Sequence, residues 1–453
     1  MVSNIPRFMI TAPMSGSGKT TITCGLLKAF LNKKIKTSAF KSGPDYIDPM
    51  FHSKVIGAHS RNLDIFMLGE NTTKFLLAKN SKDAQLSILE GAMGYYDGIG
   101  TTTKGSAYNL AKLTSTPVIL CVNAKGAALS VAALIKGFID FREDSNIKGV
   151  ILNNVSPMTY KYYKKSIEEE IGVPLLGYMP NLPDCTLESR HLGLVTAGEI
   201  EDLQDLVDRL ALEVSKSIDL DALYEIAKAA PPLEYEDIPV DKIDDVTIGV
   251  AMDKAFCFYY QDALDLLEEL GAKLIYFSPL ADKNLPQCDG IILGGGYPEI
   301  YAEELSGNRE FIDSLHKAID NKIPCFAECG GFMYLLEKFE DKNEKVYSFV
   351  GAIKGTSFMT SKLTRFGYIS LTANKDNMFG LQGQGINGHE FHYSDSTNNG
   401  FDFAVLKASG TSHWNCAHTS STLYAGYPHI HLYGNVDFAK NFVKVCVNYK
   451  KNK

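Results

Sequence analysis

The sequence predicts two α/β domains in tandem, each built on a mostly parallel sheet. Three observations lead there. At 453 residues the chain is too long for one ordinary hydrophobic core. Short apolar strand candidates alternate with helical patterns in both halves. Between the halves, residues 229–245 (AAPPLEYEDIPVDKIDD) carry adjacent prolines and many acids, the composition of an exposed linker. The expected division is a domain over residues 1–230, a linker at 231–245 and a domain over 246–453.

In the first half, residues 7–12 read as a short buried strand, followed by a Gly-rich loop and a helix to about Leu31. Further strands are expected at 35–40, 85–90, 118–122 and 149–153. After the linker the alternation restarts, with strands at 246–252, 273–277, 290–293 and 322–326 and helices at 262–270 and 332–338. The last part is richer in strand-like residues and glycine, and closes on a helix-like stretch at 436–449. In such open parallel sheets, ligands sit at the carboxyl ends of the strands.

Composition narrows the function. The formal net charge of −8, with no strongly basic tract, argues against nucleic acid as a partner. No apolar run approaches the roughly 20 residues of a membrane span. Residues 1–10 lack the pattern of a signal peptide, so a cytoplasmic location is expected. Nine scattered cysteines without CxxC pairs argue against structural zinc and for free thiols in a reducing compartment.

Two motifs carry chemistry. Thr11-Ala12-Pro13-Met14-Ser15-Gly16-Ser17-Gly18-Lys19-Thr20 is a phosphate-binding loop between a strand and a helix. Backbone N–H groups from Gly16 to Thr20 face anionic oxygens, Lys19 reaches the outer phosphates, and the Thr20 hydroxyl ligates Mg²⁺. The strict pattern begins with Gly where this chain has Pro13, so the loop is a variant. Glu90 ends a strand and is placed to hold the metal, directly or through water. Asp45 and Asp97 lie on loops that face a second substrate, or serve only as turn formers, as Asp48 also does. Asn153 reads an adenine edge or caps a helix. Arg190, within ESRHLGL, clamps a substrate carboxylate or lies in a solvated loop.

The second motif is Ala327-Glu328-Cys329-Gly330-Gly331, a cysteine on a tight strand-to-helix turn. The helix N-terminus is expected to lower the thiol pKa. Gly295 and Gly296, in Gly294-Gly295-Gly296-Tyr297-Pro298-Glu299, together with Gly330, offer amides for an oxyanion hole. The activating base is His429 or His431, on one face at strand spacing, with His389 and His392 as rivals.

Taken together, APMSGSGKT, KSGPDYIDP, EGAMGYYDG, ESRHLGL, AMDKAFCFYY, FSPLADKNLP, LGGGYPE, AECGG and HIH, in this order, resemble the cobyrinate a,c-diamide synthases of cobalamin biosynthesis over essentially the whole chain. The resemblance implies a dethiobiotin-synthetase-like P-loop domain followed by a class I glutamine amidotransferase domain. It also implies ATP with Mg²⁺, and amidation of the a and c carboxylates of a tetrapyrrole by glutamine-derived ammonia. Carried over by position, Cys329 is the glutaminase nucleophile and His429 or His431 activates it. Lys19 and Thr20 serve ATP and Mg²⁺, Glu90 the metal, and Asp45 and Asp97 the corrin carboxylate. A closed passage for ammonia between the domains is expected, and a homodimer is admitted. Nickel-sirohydrochlorin and hydrogenobyrinate are rival macrocycles. A nucleotide-switch ATPase of the partitioning type is a distant alternative that gives Cys329 no role. The usual triad Glu two residues after the His is absent, because His431 stands there.

Overall fold

A computed structural model of the chain describes residues 1–185, 197–410 and 412–453. It divides into two units: residues 1–65 with 69–238, and residues 66–68 with 239–453.

The first unit is organised by a seven-stranded sheet. Its strands are β1 (Arg7–Thr11), β2 (Thr37–Ser42), β3 (His59–Leu63), β4 (Leu86–Glu90), β5 (Val118–Asn123), β6 (Ile147–Asn153) and β7 (Leu175–Met179). They run in the order β3-β2-β4-β1-β5-β6-β7, and every pairing is parallel. Strands β1, β2 and β4 are buried along their whole length, as expected of a sheet covered on both faces. Because all strands point one way, their carboxyl ends share one edge. The register sets Glu90 beside Ile10 on one side and Lys41 on the other. Strands β3 and β7 were not anticipated by the sequence reading. His59–Leu63 reads HSRNL, too polar for an apolar-run criterion, and Leu175–Met179 is interrupted by Gly177.

Part of the anticipated linker is ordered into this unit. Leu233–Glu234 pairs antiparallel with Val2–Ser3, and the Met1 amine donates to the Tyr235 carbonyl at 2.6 Å. Arg7 is fully buried in the same region. Its guanidinium donates to the carbonyls of Ile5 (2.9 Å), Thr114 (2.6 Å) and Pro231 (2.8 Å) and to the Thr116 hydroxyl (3.2 Å). Burial pushes its pKa down to about 10, which leaves it charged near neutrality.

The second unit holds a six-stranded sheet with β8 (Val246–Ala251), β9 (Ala272–Phe277), β10 (Gly290–Leu293), β11 (Cys325–Glu328) and β12 (Leu423–Gly426) in the order β9-β8-β10-β11-β12, all parallel. His418–Thr419 closes the edge beside β12, antiparallel. A separate five-stranded antiparallel sheet runs His413–Cys416, Phe403–Lys407, Arg365–Ala373, Gly385–His392, His429–Ile430, and the unit ends on the helix Val436–Lys451. One expectation needs correction. The helix after Cys329 spans only Gly330–Leu335, and residues 336–338, taken as its last turn, belong to the strand Leu336–Glu340. There Leu336 and Phe339 are buried while Glu337 and Lys338 are exposed, and the strand pairs with Ile353–Met359.

Among the described residues no helix is long and apolar enough to cross a membrane. All nine cysteines are buried free thiols.

Replacing Arg7 by Met would leave the buried carbonyls of Ile5 and Thr114, and that of Pro231, without this donor. Arg7→Met is expected to lower the stability of the chain by about 3 kcal/mol, read from the midpoint of urea unfolding.

Candidate active site

The first centre lies at the carboxyl edge of the parallel sheet. The loop after β1 leads into the helix Lys19–Asn32, with Gly18 at its N-cap in the left-handed region (φ 94°). A side chain there is blocked twice, because a Cβ on Gly18 would lie 2.1 Å from Asn153 Nδ2. Ser17 donates to the Met14 carbonyl at 2.9 Å, and Asn153 Nδ2 donates to the Ser17 carbonyl at 2.9 Å. Asn153, expected to read adenine or cap a helix, is therefore engaged in bracing the loop backbone. Lys19 is buried and donates to the carbonyls of Met93 (2.6 Å) and Met14 (3.3 Å).

Beneath the loop lies a charged cluster that the sequence reading only partly saw. The Thr20 hydroxyl donates to Glu90 Oε1 at 2.7 Å, and Lys41 Nζ donates to the same oxygen at 2.8 Å. Lys41 also bonds Asp48 and lies 3.8 Å from Asp45. His52 Nε2 is 3.8 Å from the other oxygen of Glu90. Burial opposes the charge on Lys41, but Glu90, Asp48 and Asp45 outweigh it and hold the ammonium well above its ordinary range. Burial, and then the neighbouring Asp48, push Asp45 up to about 6. Asp48 is held below its ordinary value, because Lys41 overcomes the cost of burial. Lys41 was missed; its signal was a lysine inside a buried strand, one residue before the end.

Asp45 Oδ1 accepts from the Ile47 N–H at 2.8 Å, and Asp97 Oδ2 accepts from the Gly94 N–H at 2.9 Å. Both therefore order their own turns, Asp97 while exposed and Asp45 while half-buried. Arg190 lies outside the described residues. A hard divalent cation fits the donors present. The Thr20 hydroxyl and Glu90 carboxylate are adjacent, and Glu90 Oε2 is buried and makes no hydrogen bond among the described residues.

The second centre is the turn at Cys329. Its backbone is left-handed (φ 47°, ψ −104°), a strained geometry for a residue with a Cβ. The Cys329 N–H donates to the Gly426 carbonyl at 2.8 Å, tying the turn to β12. The glycines that follow are required sterically. A Cβ on Gly331 would lie 2.1 Å from the Leu293 carbonyl, and one on Gly330 would press on Pro298 and sit 3.3 Å from the Gly296 nitrogen. The structure thus brings Gly330 and Gly296 together, as the oxyanion reading requires. Gly295–Gly296 pairs with Phe256–Phe258, and Tyr259 Oη pins the turn by accepting from the Gly294 N–H at 2.9 Å and donating to the Ala251 carbonyl.

The expected low thiol pKa does not appear. Burial, followed by Glu299, pushes Cys329 well above the ordinary thiol range. A six-residue helix cannot offset full desolvation.

The two late histidines face different surroundings. His429 is buried with its ring edge against Gly295, where a Cβ would lie 2.5 Å from Cε1. It stacks on His389 at 4.9 Å and 13°, and its Nδ1 lies 4.0 Å from Glu328 Oε2. His431 stacks instead on Tyr260 at 4.8 Å, and its Nδ1 accepts from the Tyr433 N–H at 3.2 Å, which caps a short 3₁₀ turn. Burial, then His389 and His392, hold His429 well below its ordinary pKa, and burial pushes His431 down to about 3. The rivals are engaged elsewhere. His389 Nε2 lies 2.7 Å from Tyr260 Oη, and His392 stacks on Tyr427.

Comparison with known proteins agrees with this division of labour. Residues 8–195 match the CobQ/CobB/MinD/ParA nucleotide binding domain, and residues 247–436 match the CobB/CobQ-like glutamine amidotransferase domain. The chain is 40% identical over 446 residues to a cobyrinate a,c-diamide synthase of Caldanaerobacter subterraneus subsp. tengcongensis, covering 98% of each. It is 41% identical to the one from Clostridium tetani, covering 95% of this chain and 98% of that one. Among solved structures, the MinD cell division protein of Aquifex aeolicus matches 52% of this chain and 99% of its own at 16% identity, with a TM-score of 0.31.

Two outcomes follow from the geometry. Gly18→Ala is expected to weaken binding of a fluorescent ATP analogue by about tenfold or more, and adding Asn153→Ala should restore only part, since the backbone strain remains. Because the thiol pKa is raised, Cys329 should stay protonated near neutrality. Iodoacetamide labelling at Cys329, followed by peptide mass spectrometry, should be slow at about pH 7 and still rising at about pH 9.

Proposed function

The chain belongs to the cobyrinate a,c-diamide synthase family, and from that premise we propose that it amidates the a and c side-chain carboxylates of cobyrinate, using ATP and glutamine-derived ammonia. A carboxylate resists attack by ammonia because its charge repels the nucleophile and its oxygen leaves poorly. Transfer of the γ-phosphoryl group of ATP to a carboxylate oxygen, with ADP leaving, gives an acyl phosphate. Ammonia then adds to the carbonyl carbon and inorganic phosphate departs, leaving the amide after loss of a proton.

Each residue has a task in this reading. The loop amides from Gly16 to Thr20 hold the phosphates, and Lys19 balances charge on the transferring group. Thr20 and Glu90 would hold Mg²⁺, which would supply charge neutralisation to the nucleotide phosphates. Lys41 keeps Asp48 ionised and holds Glu90 in place through its hydrogen bond. Asp45 and Asp97 orient the macrocycle's carboxylate, with Arg190 as a further contact. At the other centre, His429 takes the thiol proton of Cys329, and the sulfur attacks the glutamine amide carbon. The tetrahedral oxyanion is held by the amides of Gly295, Gly296 and Gly330. His429 returns that proton to the leaving nitrogen, collapse to a thioester expels ammonia, and water then releases glutamate and restores the thiol. A buried, neutral His429 suits the proton-accepting role.

What carries the reading is one chain holding both a phosphate loop braced over a buried carboxylate and a strained cysteine turn packed on a glycine loop that meets the buried His429. A nucleotide-switch protein has no use for the second.

The test is a mass-spectrometric assay with Mg-ATP, glutamine and cobyrinic acid, run beside nickel-sirohydrochlorin. Cobyrinic acid should become a diamide. Cys329→Ser should lose at least about a thousandfold with glutamine and keep the rate with ammonia, whereas Lys19→Ala should lose both. Amidation of the nickel compound alone would replace the substrate while keeping the chemistry; amidation of neither would overturn the proposal.

A further inference from the structure

A carboxylate that the motif reading passed over occupies the place where a triad acid is needed. Glu328 is the last residue of β11, directly before Cys329, and only 6% exposed. The parallel register sets it beside Gly426, the residue whose carbonyl holds the Cys329 N–H. Glu328 Oε1 accepts from the Ile430 N–H at 2.7 Å, and Oε2 faces His429 Nδ1 at 4.0 Å. One side chain is therefore covalently next to the nucleophile and hydrogen-bonded to the residue after the base.

The imidazole has little freedom to turn away. His389 covers one face in parallel stacking, and Gly295 lies at the ring edge with no room for a Cβ. In amidotransferases with the usual triad, the acid lies two residues after the histidine. Here that residue is His431, whose Nδ1 is engaged by the Tyr433 N–H.

We propose that Glu328 is the positioning residue of the glutaminase centre: its carboxylate accepts a hydrogen bond from the Nδ1–H of His429 and so keeps Nε2 as the acceptor for the thiol proton. This rests on the assignment of Cys329 and His429 made above. The 4.0 Å separation is that of a resting site, and it closes as the imidazolium forms and attracts the carboxylate. Burial pushes the Glu328 carboxyl up to about 8, so the ionised form that accepts from Nδ1 grows as pH rises through that value.

Glu328→Gln in the full chain tests this against Cys329→Ser. The glutaminase kcat is expected to fall on the order of a hundredfold or more, with KM for glutamine within about threefold and ammonia-dependent amidation unchanged. A kcat within about threefold of the parent, with Cys329→Ser inactive, overturns the role of Glu328 and leaves the glutaminase assignment standing. Full glutaminase activity in Cys329→Ser overturns that assignment itself. Should Glu328→Gln fail to fold, Glu328→Asp withdraws the carboxyl from His429 by one methylene. A kcat loss of about tenfold at constant KM supports the proposal, and an unchanged kcat overturns it.

Discussion

The ammonium of Lys41, buried among Asp45, Asp48 and Glu90, is the interaction on which the first centre depends. Taking one carboxylate out of water is costly, and gathering three in one place would be prohibitive without a counter-charge. The parallel register makes the arrangement possible by setting Lys41 directly beside Glu90. Glu90 in turn receives the Thr20 hydroxyl, so the first turn of the phosphate-loop helix is anchored to the same charge cluster. The loop above it is braced independently by Asn153. Rigid placement of donors before the nucleotide arrives avoids the entropy of arranging them afterwards.

The second centre follows a different electrostatic plan. Here burial outweighs the positive charge that Lys342 sets near Glu299, and desolvation drives groups toward their neutral forms. The thiol and the carboxyls hold their protons more tightly, and the imidazole holds its own less tightly. Such a site stores its reactivity: a thiol that ionises only when a base is aligned is protected from adventitious oxidation and alkylation. Geometry, in the form of a left-handed cysteine and glycines packed against carbonyls, maintains the alignment in place of charge.

Much of this was legible in the sequence because its signals are local. A strand, a Gly-rich loop and a helix announce a phosphate site by spacing alone, and two glycines after a cysteine announce a tight turn. The helix after Cys329 was overextended because Leu336 and Phe339 lie at helical spacing, and only pairing with Ile353–Met359, through a register shift between Leu336 and Lys338, makes the segment a strand. The thiol pKa was misjudged for a related reason. A helix terminus is visible in sequence, but the depth at which it is buried is not.

The sequence by itself determined the fold class of both halves, the phosphate loop, the cysteine turn and the short roster of histidines, since each depends on neighbours within a few residues. Only the tertiary structure decided which histidine faces the glycine turn, that Lys41 neutralises the first centre, and that Glu328 lies against His429. Those facts depend on strand order and register. Lys41 and Glu90 are brought together by adjacent strands 49 residues apart in sequence, and Glu328 and Ile430 by a crossover of 102. No local pattern encodes such separations, because contacts across a sheet are selected by the packing of the whole unit.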